Sequence, residues 1–192
     1  MNATSTTPKT AVPCASGMAV LDMRWAIEKM LGPAVLKAAL ERVTPPVRDE
    51  YLHATALSWV TYTTLAAVHD AVATESRTNA MVLADKLARL TVERSFTTVW
   101  RIFLRFTSDE AIIVRTPAFY AKSRNTGYMA SRILVPGKSE SIVSGFPTIP
   151  DRDIVILAAS IETVITLAGR QDVKSKGERT TDGARFFTRW RV

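Results

Sequence analysis

Cysteine is almost missing from this chain: among 192 residues there is only Cys14. One thiol cannot build an internal disulfide framework or a cysteine-cluster metal site. Histidine is nearly as scarce, and His53 and His69 leave little for zinc or a histidine-based triad. The chain does not open with basic residues followed by an apolar core, so no secretory signal is expected. Long apolar runs are lacking too. Tyr51 to His69 carries no Lys, Arg, Asp or Glu, but its threonines, Ser58 and His53 are too polar for a lipid-facing span. A protein with no membrane span, placed in the cytoplasm, is expected. Gly127, Gly137 and Gly145 are too dispersed for a phosphate-cradling loop, and no serine sits in a nucleophile elbow. Asp151 and Asp153 read as acidic first-turn residues that suit a helix dipole. No catalytic constellation and no metal site emerge, so an enzyme is not expected.

What is present is ordinary globular composition, 47% hydrophobic and 22% charged, in a length that suits one domain. Lys and Arg outnumber Asp and Glu by 25 to 18, and the net charge of +7 biases the protein toward anionic partners. Residues 1–16, rich in Thr, Ser, Pro and Ala, read as a disordered leader holding an exposed Cys14. Residues 17–192 read as a single domain.

The first half has helical periodicity. A helix is expected from Gly17 to Leu31, ended by Gly32-Pro33, and a short one from Ala34 to Val43. Pro45-Pro46 should open a long helix running to about Glu75, with Leu52, Ala56, Trp59, Val60, Thr63 and Ala67 on one face. After Asn79 a second long helix carries Leu83, Leu87, Leu90, Phe96, Val99, Trp100 and Phe103. Ser108-Asp109-Glu110 caps a further short helix, interrupted near Pro117.

The second half changes period. Gly127 to Val135 alternates as a half-buried strand, Pro136-Gly137 turns, and Ser139 to Phe146 returns. Pro150-Asp151 opens a helix with Ile154, Leu157, Ile161, Val164 and Ile165 on one face, closed by Gly169. Gln171 to Lys176 and Ala184 to Val192 form a hairpin; Phe186, Thr188, Trp190 and Val192 face one way and Arg185, Phe187, Arg189 and Arg191 the other. The expected fold is α+β: a helical N-terminal half packed on a four-stranded antiparallel sheet in the order strand–strand–helix–strand–strand.

The residues Gly127-Tyr128, Leu134-Val135-Pro136-Gly137-Lys138, Gly145-Phe146-Pro147, Asp153, Ile161-Glu162, Leu167-Ala168-Gly169, Gly183-Ala184-Arg185-Phe186 and Trp190 carry a resemblance. Over residues 20–192 the chain is similar to a paralogous family of unknown function from myxobacteria. More distantly it resembles the superfamily of haem–nitric-oxide-binding domains, vinyl-reductase-type ligand-sensing domains and TRAPP vesicle-tethering subunits. The resemblance implies a dimeric sensor or scaffold with an apolar pocket between helices and sheet. The haem-binding branch carries an axial histidine on a helix ahead of the sheet and a Tyr-x-Ser-x-Arg motif. Here no histidine follows His69, and Tyr120 to Arg124 and Tyr128 to Arg132 run Tyr-x-x-Ser-Arg. Haem and other cofactors are therefore not expected.

Aromatics at helical spacing ordinarily fill a core. Trp59, Tyr62, Thr63, Trp100 and Phe103 are nonetheless the candidate pocket, with Thr64 and His69 as further polar groups for a small apolar ligand. Arg124, Asn125, Arg132, Arg185, Arg189 and Arg191 are the candidate partner surface. The functional expectation is a non-enzymatic regulatory or scaffolding module, homodimeric, acting on an unidentified protein partner. The alternative is a nucleic-acid-associated factor using the basic sheet face; no recognition helix, zinc finger or RNA-recognition signature supports it.

Overall fold

The computed structural model describes residues 12–96 and 104–191. Strand β1 (Cys14–Ser16) leads into helix α1 (Gly17–Leu31), whose start is fixed by the Ser16 hydroxyl accepting the Ala19 N–H at 3.4 Å. Gly32, at φ +88°, ends α1, and Pro33 opens α2 (Pro33–Arg42), where a missing N–H costs nothing. Pro45 opens α3 (Pro45–Leu52) in the same way.

The long helix expected from Pro45 to Glu75 is broken. After α3 the chain forms strand β2 (Trp59–Thr61) and only then α4 (Tyr62–Glu75). Trp, Val and Thr fit a pleated half-buried surface, and β2 pairs antiparallel with β1, setting Ala15 opposite the buried Val60. Glu50 decides where the next helix starts. Its carboxylate accepts the Thr61 N–H at 2.8 Å, the Thr61 hydroxyl at 3.1 Å and the Thr64 hydroxyl. Burial pushes the Glu50 carboxyl up, but these hydrogen bonds outweigh it and hold the pKa below its ordinary value.

The leader expected over residues 1–16 does not extend through Cys14–Ser16, which is a buried strand; residues 1–11 lie outside the described residues. Cys14 is correspondingly not exposed. Burial, and then the charge of Glu50, raise its thiol pKa above the ordinary value. Gly17 is fixed by this close approach: a Cβ there would stand 1.8 Å from the Thr55 carbonyl oxygen, and its N–H donates to the Ser58 carbonyl at 2.7 Å.

Helix α5 (Ala80–Ser95) is capped by the Asn79 side chain on the Met81 and Val82 N–H groups. The stretch expected to extend it to Phe103 falls largely outside the described residues. Helix α6 (Asp109–Ser123) starts at Ser108 as expected but runs through Pro117, because Ile112, Ile113 and Tyr120 on both sides of the proline bury in one core. Packing there overrides the local preference.

The C-terminal half follows the expected order. Strands β3 (Tyr128–Val135) and β4 (Lys138–Ser144), helix α7 (Asp151–Leu167), and strands β5 (Gln171–Thr180) and β6 (Gly183–Arg191) build an antiparallel sheet ordered β3-β4-β6-β5. Helices cover one face. Gly177 lets α7 approach the sheet, since a Cβ would meet Ile154 at 2.4 Å.

Two apolar cores result. One gathers Val20, Ile27, Tyr51, Val68, Val72 and Leu83 among the helices; the other gathers Ile113, Val143, Phe146, Ile161, Phe186 and Trp190 between helices and sheet. Polar links join them. Arg89 of α5 holds Asp85 through two bonds and reaches Glu162 of α7 at 2.9 Å. Arg152 of α7 donates to the Ala66 carbonyl at 3.2 Å and to Asp70 on α4. No described helix is long and apolar enough to cross a membrane.

Candidate functional site

Between the two cores lies a cleft of about 320 Å³, at the lower end of ligand-pocket sizes. Its apolar wall is Ala15, Ala19, Met23, Leu65 and Ile156. Its polar wall is Tyr62 and His69 from α4, Arg124 from just past α6, and Arg152 and Asp153 from the first turn of α7. Asp153 lies four residues before Leu157 and eight before Ile161, on the buried stripe of α7, so the helix turns it inward with them.

The polar wall is left under-bonded. Arg124 Nε and Asp153 Oδ2 form an ion pair at 3.7 Å, too long for a hydrogen bond. Neither atom has a hydrogen-bond partner among the described residues, nor do the Tyr62 hydroxyl, His69 Nε2 and Arg152 Nε. Each buried polar atom left this way costs about 1–3 kcal/mol. Burial pushes the Tyr62 phenol far above its ordinary pKa although Arg124 pulls it down, so the hydroxyl stays protonated and can donate. Burial, and then the charge of Arg152, lower the His69 pKa to about 4, leaving a neutral ring. The cleft thus offers donors from Tyr62, Arg124 and Arg152, an acceptor in Asp153, and an imidazole able to serve in either sense.

Of the candidate pocket residues, Tyr62 lines this cleft. Trp59 is half-exposed on β2 and Thr63 is exposed on α4, while Trp100 and Phe103 lie outside the described residues. Thr64 is buried against Glu50. His53, expected inside the long helix from Pro45 to Glu75, instead ends α3, exposed, with its ring Nδ1 2.8 Å from the Asp49 carbonyl. The sequence reading missed Arg152 and Asp153 as wall residues, although the spacing of Asp153 to Leu157 and Ile161 carried the signal.

Among the candidate surface residues Arg124 is a correction. Its side chain is 11% exposed, drawn inward by Asp153 and stacked over the Tyr120 ring at 5.4 Å. Asn125 is exposed but works as a clasp. Its carboxamide oxygen accepts the Cys14 N–H at 2.7 Å and its amide donates to the Val12 carbonyl at 3.0 Å. Arg132, Arg185, Arg189 and Arg191 stand on the sheet face that no described helix covers. With Lys138, Lys174 and Lys176, against Asp172, Glu140 and Glu178, they give that face more than half of the chain's net charge of +7. Glu140, 5% exposed, anchors two of them: Arg132 at 2.6 Å and Arg185 at 3.4 Å.

The residues do not fit haem. His69 of α4 is the histidine that lines the cleft; helix α6, which leads into the sheet, contains none, and no histidine follows it. Tyr120 donates to the Thr126 carbonyl and Arg124 is held by Asp153, while Tyr128 and Arg132 lie on the outer sheet face. In the first stretch the guanidinium is thus already taken up by Asp153, and the second faces away from the cleft. Among the described residues no cluster of His, Cys, Asp and Glu could hold a metal ion.

No protein-family model and no curated protein matches the sequence. Solved structures do match in fold. An Fe(II) unliganded H-NOX protein from K. algicida superposes with a TM-score of 0.67 at 8% identity, covering 92% of this chain and 97% of that one. A Cs H-NOX variant carrying 4-cyano-phenylalanine gives 0.69 at 10%, with 92% and 97% covered. An oxygen-binding H-NOX domain related to soluble guanylate cyclases gives 0.66 at 9%, with 92% and 95% covered. At these identities the likeness is one of fold.

Proposed function

We infer that this chain, with the fold of H-NOX domains, is a non-enzymatic ligand-sensing module that takes a small uncharged amphiphile, not haem, into the cleft between its halves. The observation that carries this is the set of unpartnered buried atoms on the cleft's polar wall, facing an apolar one. Arg124 and Asp153 already cancel each other's charge, so a charged headgroup would add an uncompensated charge in a low-dielectric site. A neutral group with both a donor and an acceptor, such as a primary amide, answers Asp153 on one side and Arg124 and Tyr62 on the other. The apolar body then lies along Ala19, Met23 and Leu65.

Because the cleft is built from both halves, a ligand bridges α1 and α4 to α7 and favours one spacing of the two cores. The module then acts by what it contacts, as a cytoplasmic homodimer with a protein partner. The kinship with the myxobacterial paralogous family is supported by Gly127, Gly137, Gly145 and Gly169, all at turns with positive φ.

Octanamide is a suitable probe. It should raise the melting temperature of the full chain, and Ala66→Leu, which fills the cleft from α4, should abolish the shift while leaving the fold intact. Titration with haem should give no stoichiometric Soret band. An unchanged melting temperature with octanamide, a shift that survives Ala66→Leu, or a one-to-one haem complex would overturn the reading.

A further inference from the structure

We propose that the uncovered face of the sheet is a docking site for an acidic polypeptide segment lying across the strands. The inference concerns the contact side of the reading above and does not depend on what fills the cleft. Lys138 of β4 pairs with Arg189 of β6, and Arg189 pairs with Lys174 of β5. Adjacent strands are about 5 Å apart, so these cations form one row across three strands. Like charges directly opposite each other destabilise a sheet. Among the described residues Lys138 and Arg189 make no ion pair, while the Lys174 ammonium lies 3.9 Å from Glu162 at the sheet edge. A local choice that works against the fold is a mark of a functional surface.

The neighbouring row holds the arginines in place. Arg132, Glu140 and Phe187 are register partners; the buried Glu140 fixes Arg132 and Arg185, and the Arg185 guanidinium lies 5.8 Å from the centre of the Phe187 ring. The surface is thus a fixed basic platform with an arginine–aromatic pair in its middle, the composition of a protein-interface anchor. In an extended acidic segment the carboxylates of every second residue sit about 7 Å apart on one side, wider than the roughly 5 Å pitch of the cation row, a difference that the long Lys and Arg side chains span. Single-stranded nucleic acid fits less well. Its bases need open ring faces, whereas Arg185 already stands over Phe187, and Tyr128 lies at the far end of edge strand β3.

Fluorescein-labelled octaglutamate and a labelled octathymidylate, each followed by anisotropy with the full chain at low salt, test this. Octaglutamate should bind, weaken steeply as salt rises, and bind the double variant Lys138→Glu/Arg189→Glu roughly tenfold or more weakly. The milder Lys138→Gln/Arg189→Gln should fall between. Lys29→Glu/Lys37→Glu, an equal charge change on α1 and α2, should bind like the parent. No octaglutamate binding at low salt, full binding by the sheet variants, an equal loss in the helix variant, or tighter binding of octathymidylate would each overturn the proposal.

Discussion

Replacing His69 with leucine should alter how stability depends on pH more than it alters stability near neutrality. The side chain is 7% exposed on α4, and burial, reinforced by Arg152, lowers its pKa from 6.5 to about 4. In the unfolded chain the ring returns to about 6.5. Between roughly pH 6.5 and pH 4 the unfolded state therefore takes up a proton that the folded state refuses, and stability falls as pH falls through that window. A gap of that size, at about 1.4 kcal/mol per pK unit, amounts to about 3 kcal/mol. The assay is urea unfolding of parent and His69→Leu at a series of pH values. Subtracting the two curves isolates this group, since His53 and every carboxylate are common to both. The parent should lose about 3 kcal/mol relative to the variant on going from pH 6.5 to 4, and the curves should run parallel above pH 7. Parallel curves throughout, or a parent that gains on the variant in acid, would refute a neutral buried imidazole.

Removing one member of the cleft's ion pair should be costly: Asp153→Ala or Arg124→Ala should each lose about 3–5 kcal/mol in chemical unfolding. The double variant Arg124→Met/Asp153→Leu should lose much less than the two single losses together, which a double-mutant cycle reads directly. Gly17→Ala forces a methyl into the Thr55 carbonyl and should destabilise by roughly 2 kcal/mol or more, seen as a lower melting temperature. Arg189→Glu should go the other way, gaining about 0.5–1 kcal/mol at low salt, because it places an acid between Lys138 and Lys174; a loss of stability would contradict the repulsive row.

Much of the fold was legible because period and punctuation agreed. Ile154, Leu157 and Ile161 mark α7, and alternation in β6 separates Phe186, Thr188 and Trp190 from the arginines, as burial confirms. The failures are tertiary. Trp59–Thr61 reads as helix by spacing, yet pairing with β1 and capping by Glu50 make it a strand and a helix start, and neither partner is near in sequence. Pro117 breaks a helix locally but not when Ile113 and Tyr120 share a core. The cleft was partly legible: His69 shares a stripe with Leu65 and Val72, and Asp153 one with Leu157. Arg124 was not, because it lies beyond the end of α6, where no period says which way a side chain turns.

The most direct measurement is a crystal structure of the full chain grown with octanamide, at a resolution that shows ordered water. The cleft account requires the amide group within hydrogen-bond reach of Tyr62, Arg124 and Asp153, with its tail along Ala19 and Leu65. A cleft closed by side chains that satisfy those atoms, or one holding only water beside the probe-free wall, would contradict it.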